Sequence, residues 1–182
     1  MFIIKDNFYT NPDQVREYAL SQDFSVSGNY PGMRTEVYPE PYFSNMKVEL
    51  QKILNQNITY WPSTYNTAFQ YTTEDSRTWV HYDQTQWAAV CYLTPNPPPG
   101  TGTGIFRNKK EGFYQHFEGQ TDYNKLEHAS DEWILQDYCE NVYNRIVIYR
   151  GSFYHSSVKA GFGKTKYDGR LFQTFFFNTD IQ

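Results

Sequence analysis

The sequence predicts a mainly β domain with flanking α-helices, and three observations support that expectation. First, its 182 residues suit one domain with a real core. Second, 35 aromatic residues (17 Tyr, 14 Phe, 4 Trp) outnumber the 25 Leu, Ile and Val. Rings and β-branched side chains suit a pleated, half-buried surface better than a Leu-rich bundle. Third, the second half breaks into short aromatic or β-branched runs separated by polar, Gly- and Pro-rich turns. The expected layout is helical support over about 1–66 and a β core over about 67–182, with an insertion at about 108–144.

The elements follow in order. Asn11 before Pro12 reads as an N-cap with proline at the first helical position, and Val15, Tyr18 and Ala19 recur at helical spacing up to about Gln22. A second helix is expected from Ser44, with Phe43 stapling onto Val48 and with Met46, Leu50, Ile53 and Leu54 as its apolar stripe. NYPGMRTEVYPEPYF, between the helices, shows no period and reads as an ordered loop. AFQY, RTWVHYD and WAAVCYL read as strands, NPPPGTGTG as a rigid turn and GIFR as a returning strand. A helix is expected from Ser130, with Leu135, Tyr138, Cys139 and Val142 buried. RIVIYR, FYHSS and RLFQTFFF complete the strands, and GKTKYDG is the turn before the last.

Several functional classes lose ground on the same residues. No apolar run approaches the ~20 residues of a membrane span, and MFIIKDNFYTNPD has neither a basic n-region nor a long h-region. A soluble, cytoplasmic chain is therefore expected. Cys91 and Cys139 form neither a disulfide framework nor a zinc spacing and read as small buried hydrophobes in a reducing compartment. A net charge of -4 with scattered Lys and Arg argues against nucleic acid as a partner.

Chemistry is concentrated in three places. In TWVHYDQ, His81 and Asp83 lie two apart on an expected strand, so both side chains project from one face. His155 lies just beyond the apolar run RIVIY, where a buried imidazole needs a partner, and a metal would be one. Two imidazoles and one carboxylate form the facial set that holds non-haem Fe(II) and leaves positions open. Alternation along RLFQTFFF puts Arg170, Phe172, Thr174 and Phe176 on one face and Leu171, Gln173, Phe175 and Phe177 on the other. An arginine among rings must pair with an anion or reach water.

From about Thr67 to Asn178 this pattern resembles the Fe(II)- and 2-oxoglutarate-dependent oxygenases, in their prolyl-hydroxylase-like branch. The resemblance is carried by Tyr71 ten positions before His81, the pair His81 and Asp83, AAVCYLTPNPPPGTGTGIF, the distal His155, and Arg170 followed four positions on by Thr174. FYTNPDQVREYAL and YPGMRT resemble a small group in that superfamily whose substrates are unassigned. The resemblance implies a double-stranded β-helix, or jelly roll, in which His81, Asp83 and His155 bind Fe(II). It further implies that Arg170 takes the far carboxylate of 2-oxoglutarate, with Tyr71 and Thr174 adding hydrogen bonds. A guanidinium fork independently suits a carboxylate and stays charged. The implied reaction uses O2, couples 2-oxoglutarate decarboxylation to C–H oxidation and acts on a peptide, amino acid or other small molecule. The filled carboxylate position, Asp83, favours hydroxylation over halogenation. Phe176 stands where the nucleic-acid repair branch carries a second arginine.

Other readings stay open at this point. Lys164 or Lys166, nearer the usual spacing from His155, could replace Arg170 as the carboxylate partner, and Cys91 stands where prolyl hydroxylases often place a tyrosine. Trp79 could line the cavity or pack in the core. His116 and His128 read as exposed residues of the insertion, which could cover the mouth. A β-helix binding module or cupin-like metal protein without turnover is the alternative to an enzyme.

Overall fold

A computed structural model describes residues 1–37, 42–120 and 130–180 of the chain. Its elements in order are β1 (Ile3–Lys5), α1 (Pro12–Ser21), β2 (Met33–Arg34), α2 (Tyr42–Leu54), β3 (Ile58–Tyr60), β4 (Phe69–Thr72), β5 (Trp87–Tyr92), β6 (Thr103–Asn108), β7 (Trp133–Cys139), β8 (Ile146–Arg150), β9 (His155–Ser157) and β10 (Arg170–Thr179). Seven strands form an antiparallel sheet in the order β1-β8-β5-β10-β4-β2, with β3 also pairing β10, and a smaller sheet runs β7-β6-β9. Neighbours in space are far apart in sequence, as in a jelly roll rather than a meander.

The layers follow from side-chain alternation. On the outer face of the large sheet, Ala89, Cys91, Leu93, Ile146, Ile148, Leu171, Phe175 and Phe177 pack with Ala19 of α1 and Leu50 of α2. Both helices thus bury one apolar stripe against the sheet. The inner face contributes Ala88, Val90, Tyr92, Val147, Tyr149 and Phe172, which meet Ile105 of β6 and Cys139 of β7. The second core therefore lies between the two sheets, and the cavity described below opens within that layer. Both cysteines are buried and free. Among the described residues no helix is long and apolar enough to cross a membrane.

Four expectations are corrected. The helix expected from Ser130 is a single 3-10 turn, Ser130–Glu132, followed by strand β7. Its spacing also fits a helix, but pairing with β6 from Thr103↔Cys139 to Asn108↔Trp133 satisfies the backbone and overrides the local period. Leu135 is accordingly 45% exposed, whereas Cys139 is buried. The 108–144 segment is therefore only partly an insertion, because β7 belongs to the small sheet. RTWVHYD contributes an isolated bridge, His81↔His155, rather than a full strand. The second helix begins at Tyr42, two residues before the expected cap.

Candidate metal and anion site

The bridge that replaces the expected strand is what brings the histidines together. His81 N–H donates to His155 O (3.0 Å) and His155 N–H to His81 O (2.7 Å), so the two residues sit directly opposite, with ring centroids 4.4 Å apart. Asp83 N–H donates to Gly151 O at 2.7 Å, fastening the Asp83 loop to the turn after β8. A Cβ on Gly151 would lie 2.0 Å from Thr85 O, so only glycine permits that approach. The ligand atoms of His81, Asp83 and His155 all lie within 4.8 Å of one another.

Hydrogen bonding fixes how the rings present themselves. Nδ1 of His81 lies 3.1 Å from Trp79 O, and Nδ1 of His155 lies 2.7 Å from Phe153 O. A carbonyl accepts only, so each ring carries its proton on Nδ1 and offers the lone pair of Nε2. Backbone carbonyls often orient metal-binding imidazoles in this way. His155 Nε2 then faces Asp83 Oδ2 at 3.2 Å, and that buried oxygen has no hydrogen-bond partner among the described residues. Two acceptors at that distance repel unless a cation or an extra proton lies between them. Burial pushes the Asp83 carboxyl pKa up, but the imidazoles of His155 and His81 in their protonated form, together with the Arg34 guanidinium, outweigh it and hold the group below its ordinary value, as a cation held among the three would also do. An ionised carboxylate with two Nε2 donors fits a divalent transition metal.

The same cavity, about 100 Å³, is lined by Arg170, Phe172, Thr174 and Phe176 of β10 and by Trp79. The alternation expected for β10 is therefore the one observed. Arg170 is 3% exposed; its Nε donates to Thr101 O at 2.9 Å, and its guanidinium carbon lies 4.5 Å from the Phe172 ring and 5.3 Å from that of Tyr92. No described carboxylate lies within ion-pair distance of it. Lys164 is exposed and lies 4.0 Å from Glu74, while Lys166 donates to Gln22 O, and neither lines the cavity. Thr174 is buried, and its hydroxyl donates to Tyr65 O at 3.1 Å.

Tyr71 is a correction. It lies on the outer face of β4, with its ring 5.0 Å from that of Phe24, whereas Gln70 and Thr72 on either side line the cavity. A one-residue offset in a strand reverses the face. Thr72 pairs directly with Arg170 across β4 and β10, and its buried Oγ1 has no hydrogen-bond partner among the described residues. Cys91 likewise faces the outer core, and the tyrosine beside Arg170 is its neighbour Tyr92. His116 is half-buried rather than exposed, with its ring stacked at 3.9 Å on that of Tyr82. His128 lies outside the described residues.

Sequence reasoning missed Arg34, which is 5% exposed and lines the same cavity. Burial lowers its pKa to about 10, against the pull of Tyr30, Tyr65 and Asp83, so it stays charged at neutral pH. The available signal was the YPGMRT run, whose glycine and arginine a loop reading did not explain.

Solved structures share this fold at low identity. HygX from Streptomyces hygroscopicus, with nickel, 2-oxoglutarate and hygromycin B bound, matches with a TM-score of 0.63 at 11% identity, covering 99% of this chain and 83% of that one. A prolyl hydroxylase from Trichoplax adhaerens, in complex with a hypoxia inducible factor peptide fragment, matches at 0.58 and 13%, covering 97% and 82%. The Fe(II)/(alpha)ketoglutarate-dependent dioxygenase TqaL matches at 0.51 and 9%, covering 98% and 82%. The fold is thus the double-stranded β-helix of the Fe(II)/2-oxoglutarate oxygenases. A search of curated proteins found no match. A family model spanning residues 1–137, a range that includes Arg34, His81 and Asp83, matches the sequence, and the chain belongs to that family, described as a family of unknown function (DUF6445).

Proposed function

We propose that this protein is an Fe(II)- and 2-oxoglutarate-dependent dioxygenase, a hydroxylase of a peptide, amino acid or other small molecule. One observation carries the reading: a single cavity joins a His-His-Asp ligand set to a buried arginine, and among the described residues one oxygen of that carboxylate has no hydrogen-bond partner and the arginine pairs with no carboxylate. His81, Asp83 and His155 would hold the iron. When bound, iron together with 2-oxoglutarate supplies the oxidation of an unactivated C–H bond by O2.

The chain's own residues do the rest. The carbonyls of Trp79 and Phe153 accept from Nδ1 of the two imidazoles, an orientation in which Nε2 of each ring would serve as the metal donor. Arg170 receives the distal carboxylate of 2-oxoglutarate, where a fork of N–H donors in a buried setting binds strongly. Thr72, opposite Arg170, offers a hydroxyl to the same carboxylate, and Thr174 presents its oxygen nearby. Trp79, Phe172 and Phe176 limit water in the cavity. A cytoplasmic location suits the two free cysteines.

The test is ligand-dependent stabilisation without oxygen. Fe(II) with 2-oxoglutarate should raise the melting temperature, by an amount equivalent to about 2.7 kcal/mol at a ligand concentration of roughly 100 Kd. His81→Ala should abolish the metal-dependent part. Absence of any shift in the unaltered protein with either ligand would overturn the oxygenase reading.

A further inference from the structure

Arg34 is a second buried cation in the cavity, and the YPGMRT run is built around it. β2 pairs with β4 so that Arg34 lies opposite Gln70. Arg34 Nε donates to Gln70 Oε1 at 2.9 Å, and Nη2 donates to the same oxygen. Gln70 Nε2 in turn donates to Pro31 O, which ties the loop to the strand. A Cβ on Gly32, where φ is +73°, would lie 2.0 Å from Tyr71 O, so glycine is required for this approach. The guanidinium carbon lies 3.8 Å from the centre of the Tyr30 ring and 4.9 Å from that of Tyr65, and Tyr30 Oη is anchored on Val26 O. Tyr30, Pro31, Arg34 and Gln70 all line the cavity that holds the triad and Arg170.

This arrangement commits part of the guanidinium and leaves part of it available. Gln70 takes the Nε–H and one Nη2–H, so the end-on pair, Nη1–H and Nη2–H, has no protein acceptor among the described residues. That pair is spaced for the two oxygens of a carboxylate. No described carboxylate lies within ion-pair distance of Arg34, and the exposed Glu36 forms no such pair. Asp83 acts on it across the cavity but belongs to the metal-ligand set, so a ligand anion would offset the cost of burying this cation.

Charge balance points the same way and rests on the oxygenase reading above. A divalent metal and Arg170 together offset Asp83 and the two carboxylates of 2-oxoglutarate. Arg34 is then the one cavity charge left unbalanced. We infer that Arg34 is a specificity-determining residue that receives a carboxylate of the prime substrate, either that of a free amino acid or the C-terminus of a short peptide.

The experiment measures binding rather than turnover. Protein loaded with Fe(II) and 2-oxoglutarate under anaerobic conditions is titrated with the proteinogenic L-amino acids and with tripeptides, each as the free acid and as the C-terminal amide, and read by thermal shift and calorimetry. One or more acids should bind while the matching amides do not, and the amino acid and tripeptide arms separate the two sources. Arg34→Gln should weaken the bound acid about 100-fold. Arg34→Lys, which keeps the charge but loses the fork, should fall between. Both variants should retain the 2-oxoglutarate shift of the unaltered protein, which shows that they are folded and separates Arg34 from Arg170. Equal binding of acids and amides, acid binding unaffected by Arg34→Gln, or silence of the whole panel on a protein that binds 2-oxoglutarate would each overturn the proposal. So would loss of 2-oxoglutarate binding in Arg34→Gln as severe as in Arg170→Gln. If the unaltered protein binds neither Fe(II) nor 2-oxoglutarate, the oxygenase reading itself falls and takes the proposal with it.

Discussion

The two faces of the large sheet are made from the same strands and serve opposite ends. On β10, Leu171, Phe175 and Phe177 point outward into an apolar layer sealed by α1 and α2, whereas Arg170, Phe172, Thr174 and Phe176 point into the cavity. β4 divides in the same way, with Phe69 and Tyr71 outward and Gln70 and Thr72 inward. The outer face spends its side chains on burial and gains stability. The inner face keeps two arginines, Arg34 and Arg170, away from bulk water at a cost in stability that ligand anions would offset. Alternation thus separates stability from binding one residue at a time.

Truncating each face should have different consequences. The largest stability effect is expected from Phe175→Ala, because the ring is fully buried between sheet and helices. A loss of about 3–5 kcal/mol is expected. In a domain of this size that lowers the melting temperature by roughly 10 °C. Calorimetry checks it, and the surviving folded protein should still bind Fe(II). Arg170→Gln should do the reverse. Removing a buried, uncompensated charge should leave the apo melting temperature nearly unchanged or raised, while 2-oxoglutarate affinity falls by about 3 kcal/mol, a factor of roughly 100. Titration calorimetry separates the two, and unchanged affinity would remove Arg170 from the anion site.

The difference between the faces also explains what could be read from sequence. β10 is long and strictly alternating, so the positions of Arg170, Thr174 and Phe175 followed from residue order alone. His81, Asp83 and His155 were found by residue type and resemblance, although the geometry uniting them is a two-residue bridge and not a strand. Tyr71 is implied by the resemblance alone, ten positions before His81; β4, with four residues, is too short to be phased from its own pattern, and it is Gln70 and Thr72 that face the cavity. β7 was misread because its spacing fits a helix, and its partner β6 lies across a long loop that local periodicity does not register. Arg34 escapes local pattern for the same reason: its place in the cavity depends on pairing with Gln70, 36 positions away.

The β4 offset gives a sharper and smaller test. Thr72→Val removes a hydroxyl that is buried, partnerless and opposite Arg170 while keeping the shape of the side chain. It should weaken 2-oxoglutarate by about 1 kcal/mol, roughly fivefold, with little effect on Fe(II). Tyr71→Phe, one position earlier, should leave both affinities unchanged, because the ring contact with Phe24 survives loss of the hydroxyl. Paired titrations of the two variants decide whether the cavity face of β4 begins where the register places it. A loss confined to Tyr71→Phe would reverse the assignment.

The smallest effect should come from outside both faces, at the strap between β1 and β8. Arg145 Nε donates to Asp6 Oδ1 at 2.5 Å and Nη2 to Oδ2 at 2.9 Å, and this pairing holds the Asp6 carboxyl below its ordinary value of 3.8, against the upward push of burial. A group whose folded-state pKa is depressed adds stability above its unfolded pKa, and that stability is lost as pH falls through the folded value. The Asp6 contribution should therefore be complete above about pH 4 and fade below it. Asp6 is half exposed, so the pair should be worth less than about 1 kcal/mol and shrink further in salt. Urea unfolding at neutral pH should show Asp6→Asn slightly less stable than the unaltered protein, with the gap closing toward pH 3. A gap that does not narrow between neutral pH and pH 3 would mean the strap acts through packing of the Arg145 stem rather than through charge.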